Sequence, residues 1–173
     1  MNIINEISRP LSGMDIMKQL KFKPNIIKYS DIHTYKNLDD LLGDDKACVI
    51  LYLTRSDFGH WCCIYENDIG HIIFFDSYGY LPDDQLNFVE SKVLRKRFKQ
   101  DHRTLTKFLY NSKKPVEYNE YKLQESKEGV ATCGRWVITR LKYKNISVDK
   151  FAELFLSVKD IIKPDIIITI LTN

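Results

Sequence analysis

Residues 131–141 read ATCGRWVITRL, two small residues and a cysteine that run directly into an amphipathic pattern. The apolar residues, among them Trp136 and Leu141, recur with the period of one helix face, so the stretch predicts a helix. Cys133 stands in its first turn, where unpaired backbone N–H groups and the positive end of the helix dipole favour thiolate over thiol. A buried structural cysteine is the ordinary alternative. The stretch makes Cys133 a candidate nucleophile that needs a base.

The composition is that of one ordinary globular domain spanning residues 1–173, with 44% hydrophobic and 28% charged residues. A net charge of +3 is too small to indicate nucleic-acid binding by itself. No apolar run reaches membrane-spanning length, and the first ten residues do not resemble a signal peptide, which favours an intracellular protein. The four cysteines form no C-x-x-C pair, so we expect reduced thiols, no metal and no cofactor.

Three β-prone segments precede Cys133, and a turn separates the last two. This succession predicts an antiparallel meander. Residues 25–35 are expected to be irregular, and residues 115–123 alternate like an edge strand. The segments predicted as strands are 47–53, 60–65 and 71–76, with a polar loop at 54–59, and those predicted as helices are 12–21, 84–98, 147–157 and 166–171. The pattern is typical of an α+β domain.

His60 is the strongest candidate base among the four histidines, because it begins a strand directly after a glycine, at the rim of the predicted sheet. Asp76 ends the strand that the turn pairs with it. Folding that hairpin brings the carboxylate to the imidazole, where we expect it to accept from Nδ1–H and orient the ring. Asp76 starting a turn is the simpler alternative, and the two roles are compatible.

Gln124 lies in the loop before Cys133. Its side-chain amide and the backbone N–H of Cys133 form a candidate two-donor oxyanion hole, although a loop glutamine is more often solvated. Gly134 is expected to leave room for a substrate backbone.

The motifs Gly59-His60-Trp61, FFDSYGY (residues 74–80) and Thr132-Cys133-Gly134, together with Gln124, resemble the adenovirus-type and SUMO-protease-like (Ulp1-type) cysteine proteases. The likeness covers about residues 47–141. It implies a papain-like (adenain/Ulp1-type) α+β fold, with a central mixed or antiparallel sheet packed between helices and the nucleophile at a helix N-terminus.

By position, the resemblance makes Cys133 the nucleophile, His60 the general base, Asp76 its orienter and Gln124 the oxyanion donor. Trp61 becomes the aromatic neighbour of the histidine and, with Gly134, part of the substrate-binding surface.

The resemblance also implies a viral maturation protease that cleaves capsid or other structural precursors after a small, glycine-type residue, as in DNA viruses, virophages or Maverick/Polinton elements. We expect a monomer in the virion or the host cytoplasm, with a polypeptide substrate and no membrane. A deubiquitinase- or deSUMOylase-type isopeptidase, an acetyltransferase on the same fold, and a binding module without activity are the alternatives.

A basic stripe follows the predicted meander. It is most simply the solvated face of a helix, and weak DNA association is the second hypothesis. Its members are Lys92, Arg95, Lys96, Arg97, Lys99 and Arg103.

Overall fold

A five-stranded mixed sheet forms the centre of the molecule in the computed structural model, which describes residues 2–55, 58–89 and 91–173. The strands lie in chain order, with parallel pairing at both edges (β1 with β2, β4 with β5) and antiparallel pairing between β2, β3 and β4. They are β1 (Asn25–Lys28), β2 (Ala47–Arg55), β3 (Phe58–Glu66), β4 (Ile72–Phe75) and β5 (Val116–Tyr118). The predicted antiparallel meander is confirmed.

Helices cover both faces of this sheet. They are α1 (Ile3–Ser8), α2 (Gly13–Gln19), α3 (Leu38–Leu42), α4 (Lys92–Arg97), α5 (Thr104–Ser112), α6 (Cys133–Lys142), α7 (Val148–Leu156) and α8 (Pro164–Leu171). Two 3₁₀ segments, Tyr29–Thr34 and Asp84–Phe88, complete the described structure. Alternate side chains of β2 to β4 enter two different apolar cores, one against α6 to α8 and one against α3 and α5. The predicted α+β fold, with its sheet between helices, is confirmed.

The helix α6 is almost completely buried, since every residue from Cys133 to Leu141 is buried. It packs on β3, and the rings of Phe151 and Phe155 on α7 meet Trp136 edge-on. Arg135, fully buried, donates to the Glu6 carboxylate and to the Thr172 hydroxyl. The helix that begins with the cysteine is therefore fastened to segments near both ends of the described chain.

The prediction that residues 25–35 are irregular is wrong. They contain β1 and a 3₁₀ segment, because Asn25–Lys28 pairs in parallel with the open edge of β2. A parallel partner lies far along the chain, so no local turn signals the pairing.

Two further predicted elements are shorter than expected. The helix predicted over residues 84–98 divides into the 3₁₀ segment and α4, since the Ser91 hydroxyl accepts from Leu94 N–H and starts a new helix; Glu90 lies outside the described residues. The strand predicted over 115–123 ends at Tyr118, because the Asn119 side chain binds the backbone oxygens of Asp76 and Tyr121. The predicted loop 54–59 is mostly strand where it is described, and Ser56 and Asp57 lie outside that part.

Within the described ranges, no helix has the length and apolar character needed to cross a bilayer.

Candidate active site

Cys133 lies at the beginning of α6, on the wall of a cleft of about 1340 Å³. The first intrahelical bond runs from Trp136 N–H to the carbonyl of Thr132, so the backbone N–H groups of the first turn stay unpaired within the helix. His60, Trp61, Tyr78 and Gln124 line the same cleft. The structure thus gathers the predicted nucleophile, base and amide around one cavity.

His60 is placed by the pairing of β3 with β2, which sets it opposite Tyr52. The preceding residue, Gly59, has no room for a side chain, because a Cβ there would lie 2.0 Å from the Tyr52 carbonyl oxygen. The glycine lets the two strands approach closely just before the histidine. The His60 side chain is 7% exposed.

The predicted contact between His60 and Asp76 is present, with Nε2 3.1 Å from Oδ1. The expectation that the carboxylate faces Nδ1 is wrong, since the ring presents Nε2 to it. Burial alone lowers the pKa of His60, but the charge of Asp76, aided by Cys62 and by hydrogen bonds to Asp76 and Cys133, raises it well above its usual value. Burial raises the pKa of Asp76, and the imidazole and the donors around the carboxylate bring it below its usual value. The pair therefore favours imidazolium beside carboxylate.

Asp76 is held by donors on both of its oxygens. Oδ1 also accepts from Tyr78 N–H at 2.7 Å, while Oδ2 accepts from Gln85 Nε2 at 2.7 Å and from the Cys62 thiol at 3.3 Å. Cys62 stands two residues after His60 on the same strand, so strand alternation alone places both on one face. Gln85 sits in a 3₁₀ segment without a periodic signal, and the sequence interpretation missed both residues.

Gln124 is buried beside the turn at residues 76–79, which follows β4. Its Oε1 accepts from the Ser77 hydroxyl at 2.7 Å, its Nε2 donates to the Tyr78 hydroxyl at 3.1 Å, and its backbone N–H donates to the Ser77 carbonyl at 3.0 Å. The amide is therefore fixed in the cleft that holds Cys133, and it is not solvated.

Asp165, near the start of α8, joins the two segments that carry these groups. One carboxylate oxygen accepts from the backbone N–H of Glu125 at 2.8 Å, and the other from the Thr132 hydroxyl and from Trp136 Nε1. Burial raises the pKa of Asp165 in spite of these three donors. The residue connects the loop after Gln124 with the start of α6, and nothing in its local sequence indicated this.

The two predicted substrate-binding residues behave differently. Trp61 lines the cleft, and its indole N–H donates to the Leu11 carbonyl at 2.9 Å. Gly134 does not leave room for a substrate: a Cβ there would lie 3.1 Å from Leu11 Cβ and 3.4 Å from the Trp61 ring. The space beside Gly134 is filled by the protein's own N-terminal segment, which corrects that expectation.

A group of metal-ligand residue types, His60, Cys62 and Asp76, has its ligand atoms within 4.8 Å of one another. The same atoms already bind each other or Gln85. The group is explained by the hydrogen-bond network, so we assign no metal to it.

The basic stripe lies on and after α4. Arg103 is paired with Asp84 at 2.6 Å, and most of the other members are exposed.

A comparison with known proteins identifies a relative that matches nearly the whole of the given sequence. No protein-family profile matches the chain. It is 33% identical over 164 residues to "Uncharacterized protein V9" of Sputnik virophage, covering 94% of this chain and 93% of that protein.

Two kinds of solved structure are also similar. The crystal structure of the ASFV pS273R protease is 15% identical, with 95% of this chain and 68% of that chain covered and a TM-score of 0.49. The central domain of the uncharacterized Lpg1148 protein from Legionella pneumophila is 12% identical, with 94% and 93% covered and a TM-score of 0.43.

Proposed function

The chain belongs to the same family as protein V9 of Sputnik virophage, and we propose that it is a cysteine peptidase with Cys133 as nucleophile and His60 as general base. One observation supports this most directly. His60, held by the buried Asp76, lines the same cleft as a cysteine at the beginning of a buried helix, and the pKa of the histidine is raised in part by that cysteine. A cysteine, a histidine base and an orienting carboxylate gathered at one site are the residue types that covalent acyl transfer requires.

The proposed reaction uses the ion pair of thiolate and imidazolium. The sulfur attacks the peptide carbonyl carbon, and the negative charge that forms on its oxygen is met by the Cys133 backbone N–H and the Gln124 amide. His60 then gives its proton to the departing amine, which leaves a thioester. The same imidazole takes a proton from water as the hydroxide attacks, and the acid product and free thiol are released. Asp76 holds the ring throughout.

We propose capsid or other structural precursor proteins as the substrates, cut after a small, glycine-type residue. The virophage relative and the motifs shared with adenovirus-type proteases support this choice. The protein would then act as a monomer in the virion or the host cytoplasm.

The decisive experiment is co-expression with each structural protein encoded by the same genome, comparing the native protein with Cys133→Ala. Cleavage that is lost in the variant, with the new termini read by mass spectrometry, supports the proposal and gives the site. Ubiquitin-like conjugates and acetyl-CoA with a lysine peptide serve as parallel substrates, because they separate a deconjugase and an acetyltransferase from a maturation protease.

Weak DNA association through the stripe of Lys92, Arg95, Lys96, Arg97, Lys99 and Arg103 is a separate proposal, supported by the exposure of most of these side chains. Counterion release predicts a steep fall of affinity with added salt. The absence of measurable binding to duplex DNA at low salt would refute this proposal.

A further inference from the structure

Tyr78 contacts three of the four groups assigned to the reaction. Its backbone N–H donates to Asp76 Oδ1, its ring stacks on the imidazole of His60 with centroids 4.7 Å apart, and its hydroxyl accepts from Gln124 Nε2. The side chain is partly exposed and lines the cleft beside Cys133. One residue thus links the base to the oxyanion donor.

The backbone, the ring and the hydroxyl of Tyr78 make different contacts, so a substitution can remove one contact and keep the others. The backbone donor is present whatever the side chain. The ring covers His60, and a phenylalanine keeps that ring. Only the hydroxyl binds the amide of Gln124.

The hydroxyl matters because it decides what the amide offers to a substrate. Gln124 Oε1 is engaged by the Ser77 hydroxyl, and one hydrogen of Nε2 by Tyr78. In residues 2–55, 58–89 and 91–173, no further contact uses an amide hydrogen of this side chain. With both ends of the amide held, its plane is fixed and one N–H remains for an incoming oxygen.

We propose that Tyr78 is a positioning residue of the oxyanion hole, whose hydroxyl holds the Gln124 amide in its donating orientation. The inference rests on the proposed function, because it assumes that acylation of Cys133 passes through an oxyanion. Tyr78 acts through Gln124 and transfers no proton itself.

Two reagents test this without knowledge of the natural substrate. p-Nitrophenyl acetate acylates the thiolate: the S–C bond forms through an oxyanion, and the C–O bond breaks to release p-nitrophenolate. Iodoacetamide alkylates the same sulfur by displacing iodide, and no oxyanion forms. Rates are corrected with Cys133→Ala, and Tyr110→Phe is the matched loss of a phenol hydroxyl at a residue 73% exposed on α5.

For Tyr78→Phe we expect acylation to fall about 10- to 100-fold, part of the roughly 10²–10³-fold loss that follows removal of a whole oxyanion donor. The rate of alkylation and its pH profile stay at the native values, which shows that the fold and the His60–Cys133 pair are intact. In a Gln124→Ala background, Tyr78→Phe adds nothing, because the two residues act as one unit.

Native acylation rates in Tyr78→Phe, or a full additional loss in the double variant, would overturn the role of Tyr78 and leave the peptidase proposal standing. A native Cys133 that reacts with both reagents no faster than a free thiol peptide would overturn the peptidase proposal itself, and this inference with it.

Discussion

Replacing Asp76 by asparagine removes the charge that keeps His60 protonated, with little change in shape. His60 Nε2 and Asp76 Oδ1 lie 3.1 Å apart. At this separation, opposite unit charges attract by about 5 kcal/mol for an effective dielectric constant near 20. The cost of burying an imidazolium opposes this attraction, so without the carboxylate the pKa of His60 falls. General acid–base catalysis contributes about 10²–10⁴-fold to a rate. We therefore expect Asp76→Asn to lower kcat/KM for the proposed peptide cleavage by a factor of that order.

The assay is the rate of iodoacetamide alkylation of Cys133 across pH. In the native protein the Asp76 charge keeps the imidazolium to higher pH than in an isolated histidine, and under the proposed function this imidazolium is the partner of the Cys133 sulfur. In Asp76→Asn the imidazolium is lost at lower pH, so fast alkylation begins only at higher pH. An unchanged alkylation profile in a folded Asp76→Asn protein would refute the assigned role of the carboxylate.

A fold defect must be separated from this effect. The asparagine amide turns an N–H₂ group towards Gln85 Nε2 and the Cys62 thiol, which donate to the native carboxylate. Gln85→Ala removes one of these donors and keeps the Asp76 charge. We expect this control to lose stability in urea unfolding while its alkylation profile stays close to the native one, because the carboxylate still faces His60.

Four further outcomes follow from the described contacts. Gln124→Ala should lower acylation by p-nitrophenyl acetate about 10²–10³-fold with unchanged alkylation, because an oxyanion donor is lost; equal losses in both reactions would contradict that role. Asp165→Ala leaves buried donors of Glu125 and Thr132 unpaired and should lower the free energy of unfolding in urea by about 3 kcal/mol. A decrease below about 0.5 kcal/mol would show that the link through Asp165 is unimportant. Gly59→Ala forces a Cβ against the Tyr52 carbonyl and should destabilise by about 1–3 kcal/mol or more, and a native unfolding midpoint would contradict the close approach of the strands. In the folded native protein, the pKa of Asp76 lies below the ordinary carboxyl range. The carboxylate therefore stabilises the fold above that range, and this stabilisation is lost as the pH falls through the folded pKa. Acid unfolding followed by circular dichroism should show a smaller dependence of stability on acid in Asp76→Asn.

The sequence was most informative where the signal is local. The α6 helix and the strands carrying His60 and Asp76 have clear periods or turns, so the contact between the two side chains followed from one hairpin. The choice of ring nitrogen did not follow, because it depends on how the imidazole turns between Tyr78 and Asp76, which the backbone pattern does not encode.

Asp165 and Gln85 escaped prediction because they reach their partners from elements that no local pattern links to the site. Asp165 reaches Glu125 and Thr132 from a different helix, and Gln85 reaches Asp76 from a 3₁₀ segment. No spacing rule connects such positions in a single sequence. Gly134 was misread for a related reason, since the chain that fills the space beside it comes from Leu11.

Because α6 depends on contacts from α8, the site forms in a fixed order during synthesis. Cys133 leaves the ribosome before Asp165, which joins its helix to the Gln124 loop, and before Thr172, which accepts from the buried Arg135. At about 10 residues per second, a nascent chain passes several seconds with its cysteine translated and these partners missing. Under the proposed function, the site is completed only after α8 has emerged, which limits premature proteolysis in the growing chain.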